Sequence, residues 1–497
     1  MPTDHPLKKP SLKINAASNW ISFAVIVATG VILTPIITEQ LGKTGYGIWS
    51  LVGSLIGYYG LLNLGVGSAI TRYIARHTAQ KNEKALNEVA STVFVMFILT
   101  GLAATTFSFL FAEEVAAFFN VKPDLQNNFK ILIWIIGTTT GIGFTTEALA
   151  AIVNAREHFV STNIVRIMSI LLRAFLTIIF LNLGYGLISV AIAPFLSTVA
   201  STFANIYLYK KYASDIDLSL KYANKKTLKM LLIYGGTTTI IVLADLMRSN
   251  FDNIIIGKLI GLEAVGIYSI ATLLVRHMSN SVTAGLSALT PRFASLDGMG
   301  DKSKIKTLFL KALSISSFLA FGAGMIAVIF GEQFISWWVG KEFTEASSVL
   351  IILAGASAFG LTQNPAIGLL YALNKHKAYA IATIIEAIFN VALSLILVSK
   401  YGLIGVAIGT AIPMLISKIL VMPIYASKAI EIPLSIYLKA SIRPAVISIL
   451  IVTIAYTTPL HKSLPDRIEY IAGTAVLIGL IYSVACFNFI RKQLQIG

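Results

Sequence analysis

The side chains best placed to do chemistry in this 497-residue sequence are ionisable groups set inside long apolar runs: Arg276 with His277, Arg248 between Asp245 and Asp252, and, singly, Glu147, Arg173, Glu386 and Lys418. Arginine carries a fixed charge and a planar fork of N–H donors that grips phosphate or carboxylate in a bidentate manner. A histidine beside it can gain or lose a proton near neutral pH. No acid shares the run and depth of Arg276 and His277, so the pair reads as an anion site, with an interhelical pair to an acid as the alternative. Asp245 and Asp252 lie three and four residues from Arg248 on one helical face, where mutual neutralisation competes with binding of a solute or a proton. Glu147 with Arg173, and Glu386 with Lys418, come to similar depth on antiparallel neighbours and are expected to form structural ion pairs. Arg166 and Lys311 sit close enough to the ends of their runs to snorkel.

Enzymatic constellations do not assemble. Gly42-Lys43-Thr44 resembles the end of a phosphate-binding loop, but Ile37 stands where its first glycine belongs and no strand precedes it. His5, His77, His158, His277, His376 and His461 lack ligand spacing, so no metal site is expected. Glu113 and Glu114 are adjacent and would not face each other across a substrate. No catalytic residues are assigned. The single cysteine, Cys486, excludes a disulfide framework.

The elements that must carry these groups follow from composition. With 56% hydrophobic and 12% charged residues and a mean hydropathy of +0.79, the chain lacks the charge of a water-exposed surface. The net charge of +16 falls in short clusters along the whole length, which fits membrane topology rather than nucleic-acid binding. A ruler of ~20 apolar residues gives about fourteen spans, near 14–38, 46–70, 89–112, 129–153, 163–183, 187–209, 230–254, 265–290, 308–331, 347–370, 378–399, 403–426, 441–458 and 468–490. The first is too long for a cleavable signal segment. Loop Lys and Arg cluster on the side of the termini; only Lys43, Lys122, Lys258, Lys341, Lys400, Lys462 and Arg467 fall opposite. By the positive-inside rule both termini are cytoplasmic. Trp337, Trp338 and Phe343 are expected to form an interfacial aromatic belt.

An internal repeat organises the spans. Tyr185-Gly-Leu-Ile-Ser-Val-Ala-Ile192 opens the sixth and Tyr401-Gly-Leu-Ile-Gly-Val-Ala-Ile408 the twelfth. Gly45-Tyr-Gly-Ile-Trp-Ser50 and Ala264-Val-Gly-Ile-Tyr-Ser269 echo each other at the second and eighth. A six-span offset is even, so the copies insert in one orientation, related by a pseudo-two-fold axis near the membrane normal. The expected fold class is an all-α integral membrane protein with two six-helix lobes and two additional C-terminal helices. Expected boundaries are 1–209 for the first lobe, 210–229 for a basic linker, 230–426 for the second lobe, and 427–497 for the last two helices and tail.

The helix from Asn15 to Pro35 leading into Leu41-Gly-Lys-Thr-Gly-Tyr-Gly-Ile-Trp-Ser50, the stretch Asn63-Leu-Gly-Val-Gly-Ser-Ala-Ile70 before Arg72, and Asp252-Asn-Ile-Ile-Ile-Gly-Lys-Leu-Ile-Gly261 before Val265-Gly-Ile-Tyr-Ser269 carry a resemblance. In these stretches the chain resembles the polysaccharide-unit (O-antigen, Wzx-type) flippases of the multidrug/oligosaccharidyl-lipid/polysaccharide exporter superfamily. That resemblance implies movement of a polyprenyl-diphosphate-linked oligosaccharide from the cytoplasmic to the outer leaflet of a bacterial inner membrane, by alternating access through a cavity between two lobes. Arg276, His277 and Arg248 would then face a diphosphate. Asn15, Ser18 and Asn19 would suit sugar hydroxyls, or hydrogen bonds between packed helices. Partners implied are the lipid-linked oligosaccharide, membrane lipids and polysaccharide-assembly proteins, with no nucleic acid; no cofactor is expected beyond coupling to H+ or Na+. Two rival functions are a cation-coupled multidrug exporter of the same superfamily and a membrane oligosaccharide polymerase or ligase. The first span has no carboxylate before Glu39, which counts against the former. The outward loops are too short for the substrate-binding domain expected of the latter.

The charge pattern predicts that reporters fused after Lys221 and at the C-terminus land on the same, cytoplasmic side. Landing on opposite sides would show the span count to be wrong.

Overall fold

Apolar runs of this length can cross hydrocarbon only if their backbone groups bond internally, which selects helices or closed barrels. The computed structural model describes residues 12–63, 70, 73–74, 76–78, 80, 82–284, 286, 289–458 and 468–495, and every regular element among them is helical. In chain order these are α1 (Leu12–Gly57), α2 (Glu83–Phe118), α3 (Pro123–Ala155), α4 (Phe159–Asn182), α5 (Ser189–Tyr212), α6 (Lys225–Leu259), α7 (Leu262–Ala284) and α8 (Leu289–Gly298). They continue with α9 (Lys302–Val339), α10 (Ala346–Thr362), α11 (Asn364–Ala372), α12 (Lys377–Ile416), α13 (Met422–Ala429), α14 (Leu434–Thr457) and α15 (Ile468–Gln495). Gly65, Gly67 and Arg72, and the side chain of Asn15, lie outside the described residues.

Among the described residues ten stretches are long and apolar enough to cross a membrane. Two of them are of double length and turn at Gly42 and Gly402, so each holds two crossings. α6 and α7, interrupted by Asp245, Arg248, Asp252, Arg276 and His277, complete fourteen long helices. Most helices run past the limits expected from hydropathy. The tenth segment is broken at Gln363 into α10 and α11, and the twelfth passes through a π-helical stretch at Ser417–Val421. The short helix α8 was not anticipated, being too brief and too polar for a membrane ruler.

The repeated Tyr-Gly-Leu-Ile motif places its glycine at positive φ in both copies. Gly186 and Gly402 have φ of 51° and 54°, a left-handed geometry that a side chain would penalise. Leu187 and Leu403, Val190 and Val406, and Ala191 and Ala407 are buried in both copies, while Tyr185 and Tyr401 are exposed.

The chain divides into two compact units, residues 1–246 and 247–497. In the first, α2 packs along α3, α3 on α5, and α4 on α1 and α5. Phe97, Phe144 and Ile152 fill its core together with Ala213 and Ile216 of the basic linker. The linker is strapped to the start of α2: Ser91 Oγ donates to the Asp217 carbonyl (3.0 Å), Asn87 Oδ1 accepts from the Asp217 N–H (3.0 Å), and Thr92 Oγ1 accepts from the Asn224 N–H (3.0 Å). In the second unit α9 packs on α10, α14 and α15, and α10 on α7 and α12. Asp301 caps α9 by accepting from the Lys304 N–H (3.0 Å). Donation from the Lys304 side chain and backbone holds the Asp301 carboxyl below its usual range. Trp337 is exposed, but Trp338 and Phe343 are buried, so the expected aromatic belt reduces here to one residue. The other two fill the core where α9 turns back toward α10.

Bare backbone makes the α2–α3 contact possible. A Cβ on Gly141 would meet Thr105 Oγ1 at 2.5 Å and the Gly101 carbonyl oxygen at 2.6 Å, whereas one on Gly143 would meet nothing within 4 Å. Gly141→Leu should therefore destabilise the first unit by about 1–3 kcal/mol or more through overpacking, with Gly143→Ala close to neutral. Thermal unfolding of the two variants in detergent checks this; equal midpoints would refute the close approach.

Candidate functional site

Charges at membrane depth are costly unless paired or wet, so the fate of each ionisable side chain separates structural from functional groups. Glu386 on α12 is fully neutralised. Its side chain is 1% exposed; Lys418 Nζ lies 3.1 Å from Oε2 and Arg248 Nη1 of α6 lies 3.6 Å from Oε1. Lys418 sits in the π-helical stretch and also faces the Tyr379 ring at 5.3 Å. Arg248 thus turns to a carboxylate on another helix. Asp252 is in no ion pair with it.

Asp252 is buried in a neutral polar cluster instead. Tyr268 Oη of α7 donates to its Oδ2 at 2.6 Å and Thr410 Oγ1 of α12 lies 2.7 Å from the same oxygen. Asn390 Nδ2 donates to Thr410 Oγ1 at 2.7 Å. Two buried acceptors in this cluster, Asp252 Oδ1 and Asn390 Oδ1, have no hydrogen-bond donor. Asp245 is exposed on α6.

Arg276 lies exposed near the middle of α7 and is in no ion pair among the described residues. Beside it His277 is half-buried, and neither ring nitrogen has a hydrogen-bond partner. In the first unit, Ser18 Oγ and Asn19 Oδ1 of α1 accept from Asn163 Nδ2 of α4 at 2.9 and 2.6 Å. These two groups tie α1 to α4.

The pair expected between Glu147 and Arg173 does not form: both side chains are exposed, and the Arg173 guanidinium is in no ion pair among the described residues. The reason lies in packing. α4 rests chiefly on α1 and α5, and α3 rests on α2 and α5, so consecutive helices α3 and α4 are not principal neighbours. Sequence reasoning also missed Tyr268, Thr410 and Asn390. Uncharged polar residues in apolar runs are too common to single out until a helix brings them to a carboxylate.

Among the described residues no group of three or more acidic, cysteine or histidine side chains could hold a metal. Removing Glu386 would leave the buried Lys418, and the half-buried Arg248, without their shared counter-charge, so Glu386→Ala should cost about 3–5 kcal/mol. The midpoint of thermal unfolding in detergent measures it. A midpoint equal to that of the unaltered protein would mean that the cluster contributes nothing to stability.

Residues 41–348 match the model of a family described as polysaccharide biosynthesis protein. A putative O-antigen transporter of Shigella flexneri is 21% identical over 83% of this chain and 97% of its own. The fold is shared with the lipid II flippase MurJ in an inward closed conformation, at a TM-score of 0.75 and 16% identity over 97% of this chain and all of that one. An inward-facing multidrug resistance MATE family transporter of the MOP superfamily superposes at 0.71, with 17% identity over 82% of this chain and 94% of its own. The family model covers more than half of the residues, and the long apolar helices cross a membrane several times: the chain belongs to the polysaccharide biosynthesis protein family and is a multi-pass helical membrane protein.

Proposed function

We propose that this protein moves a polyprenyl-diphosphate-linked oligosaccharide from the cytoplasmic to the outer leaflet of a bacterial inner membrane, by alternating access along a cationic pathway, with both termini in the cytoplasm. The observation that carries the reading is Arg276, an exposed arginine at mid-helix with no acid paired to it among the described residues. A diphosphate must leave water to cross a ~30 Å apolar core. A permanently charged guanidinium offers it bidentate hydrogen bonds at depth and so lowers that barrier. A lone cation in this position would favour an anionic cargo over the cationic solutes of multidrug exporters.

Energy coupling to H+ or Na+ fits the Asp252 cluster. The carboxylate is isolated from the cations, and its free Oδ1 and that of Asn390 leave acceptor capacity for a proton or a small hard cation. Occupation of the cluster would change the net charge held among α6, α7 and α12, and so bias the bundle between conformations. The exposed apolar faces of α14 and α15, including Ile449, Leu450, Ile454, Leu477 and Leu480, would suit contact with the polyprenyl tail. Polysaccharide-assembly proteins remain partners by analogy with the family's role.

Arg276→Ala should abolish export of the lipid-linked unit in cells lacking the native protein while leaving expression intact, and Arg276→Lys should retain part of it. His277→Ala should alter the pH dependence of transport more than its maximal rate, and Asp252→Asn should remove its dependence on the ion gradient. Normal export by Arg276→Ala would sink the cationic mechanism.

A further inference from the structure

Helix α4 meets a different environment on each of its four sides. Ile164, Met168, Leu171 and Phe175 are exposed and, at about 100° per residue, fall within about 60° of one another, forming the stripe that faces lipid. On one flank Asn163 bonds to Ser18 and Asn19 of α1. On the other, Ser169 Oγ donates to the Ser197 carbonyl of α5 at 3.3 Å. The fourth side carries Arg166 and Arg173, seven residues apart and therefore nearly in line, about 180° from the lipid stripe. Both are exposed, and neither is in an ion pair among the described residues.

Lipid is excluded from that side by the position of the apolar stripe. Neighbouring helices are excluded because both arginines remain exposed. Two like charges on an exposed face of a membrane helix, with no acid paired to them, would attract an anion. Arg166 stands about 10 Å along the axis from the Phe159 end, and Arg173 about 20 Å. The step between them is within reach of two flexible arginine side chains.

We propose that Arg166 and Arg173 form a two-step anion track on α4 that receives the diphosphate of the cargo in succession. This deepens the transport reading and rests on it. A diphosphate released by one guanidinium reaches the next without crossing a stretch that lacks a cation. The apolar stripe on the opposite face keeps the helix oriented while the track is in use.

Cysteines placed at 166, 173 and 168 in a Cys486→Ser background test the cleft. A membrane-impermeant thiol reagent should label Arg166→Cys and Arg173→Cys in proteoliposomes and spare Met168→Cys; the reverse pattern overturns the placement. Undecaprenyl diphosphate bound to the full chain in detergent tests the ligand. Arg173→Gln should weaken binding by about ten- to a hundredfold, the worth of one charged hydrogen-bonding group, with partial recovery in Arg173→Lys and none of the loss in Phe175→Ala. Undecaprenyl monophosphate should bind more weakly than the diphosphate. Phosphatidylglycerol or inorganic pyrophosphate competing as well as undecaprenyl diphosphate would mean a general phosphate site and overturn the assignment to cargo. Full binding by Arg173→Gln alongside lost binding by Arg276→Ala would remove the track and leave the transport reading standing. No binding of undecaprenyl diphosphate by the unaltered protein would remove both.

Discussion

A charge inside hydrocarbon must find a counter-charge, a hydrogen-bonding cage or water, and the arrangement of this protein depends on how each charge meets that demand. Glu386 is satisfied by two cations contributed from α6 and the π-helical stretch after α12. Asp252 is held through one carboxylate oxygen by hydroxyls from α7 and α12, while its Oδ1 is left without a donor. Both solutions join helices far apart in sequence, so the charges that look least suited to a membrane also staple the second unit together.

Three arginines do not follow that pattern. Arg166, Arg173 and Arg276 lie on exposed faces with no ion-pair partner among the described residues. Arginine cannot relieve burial by losing its proton, so an anion or water must stand in for the missing acid. The transport of an anionic lipid-linked sugar proposed above would use such unsettled cations. A fully neutralised pathway would offer the diphosphate nothing in exchange for its hydration shell.

Close helix packing keeps these cations from being neutralised by chance. Gly101 and Gly141 let α2 and α3 touch backbone to backbone, and α5 stands against both α3 and α4. Glu147 and Arg173, neighbours by span order, are consequently held out of contact. Glycine serves the backbone again at Gly186 and Gly402, where φ is positive in both copies of the repeat.

The sequence by itself determined the membrane class, the number of long helices and the recurrence of the Tyr-Gly-Leu-Ile turn, because hydropathy, glycine and local charge act over a few residues and need no tertiary context. It also marked Arg276, His277, Asp252 and Glu386 as exceptional, since an ionisable group in an apolar run is rare whatever surrounds it. Tertiary structure decided what each of them does. Whether Arg248 turns to Asp252 or to Glu386, and whether Arg173 meets Glu147 or stays exposed, depends on which helix faces which. That is set by side-chain packing summed over whole helices, and span order alone does not encode it. Tyr268, Thr410 and Asn390 gained significance only when three helices converged on Asp252, because a hydroxyl or amide becomes part of a site through its distance from a charge.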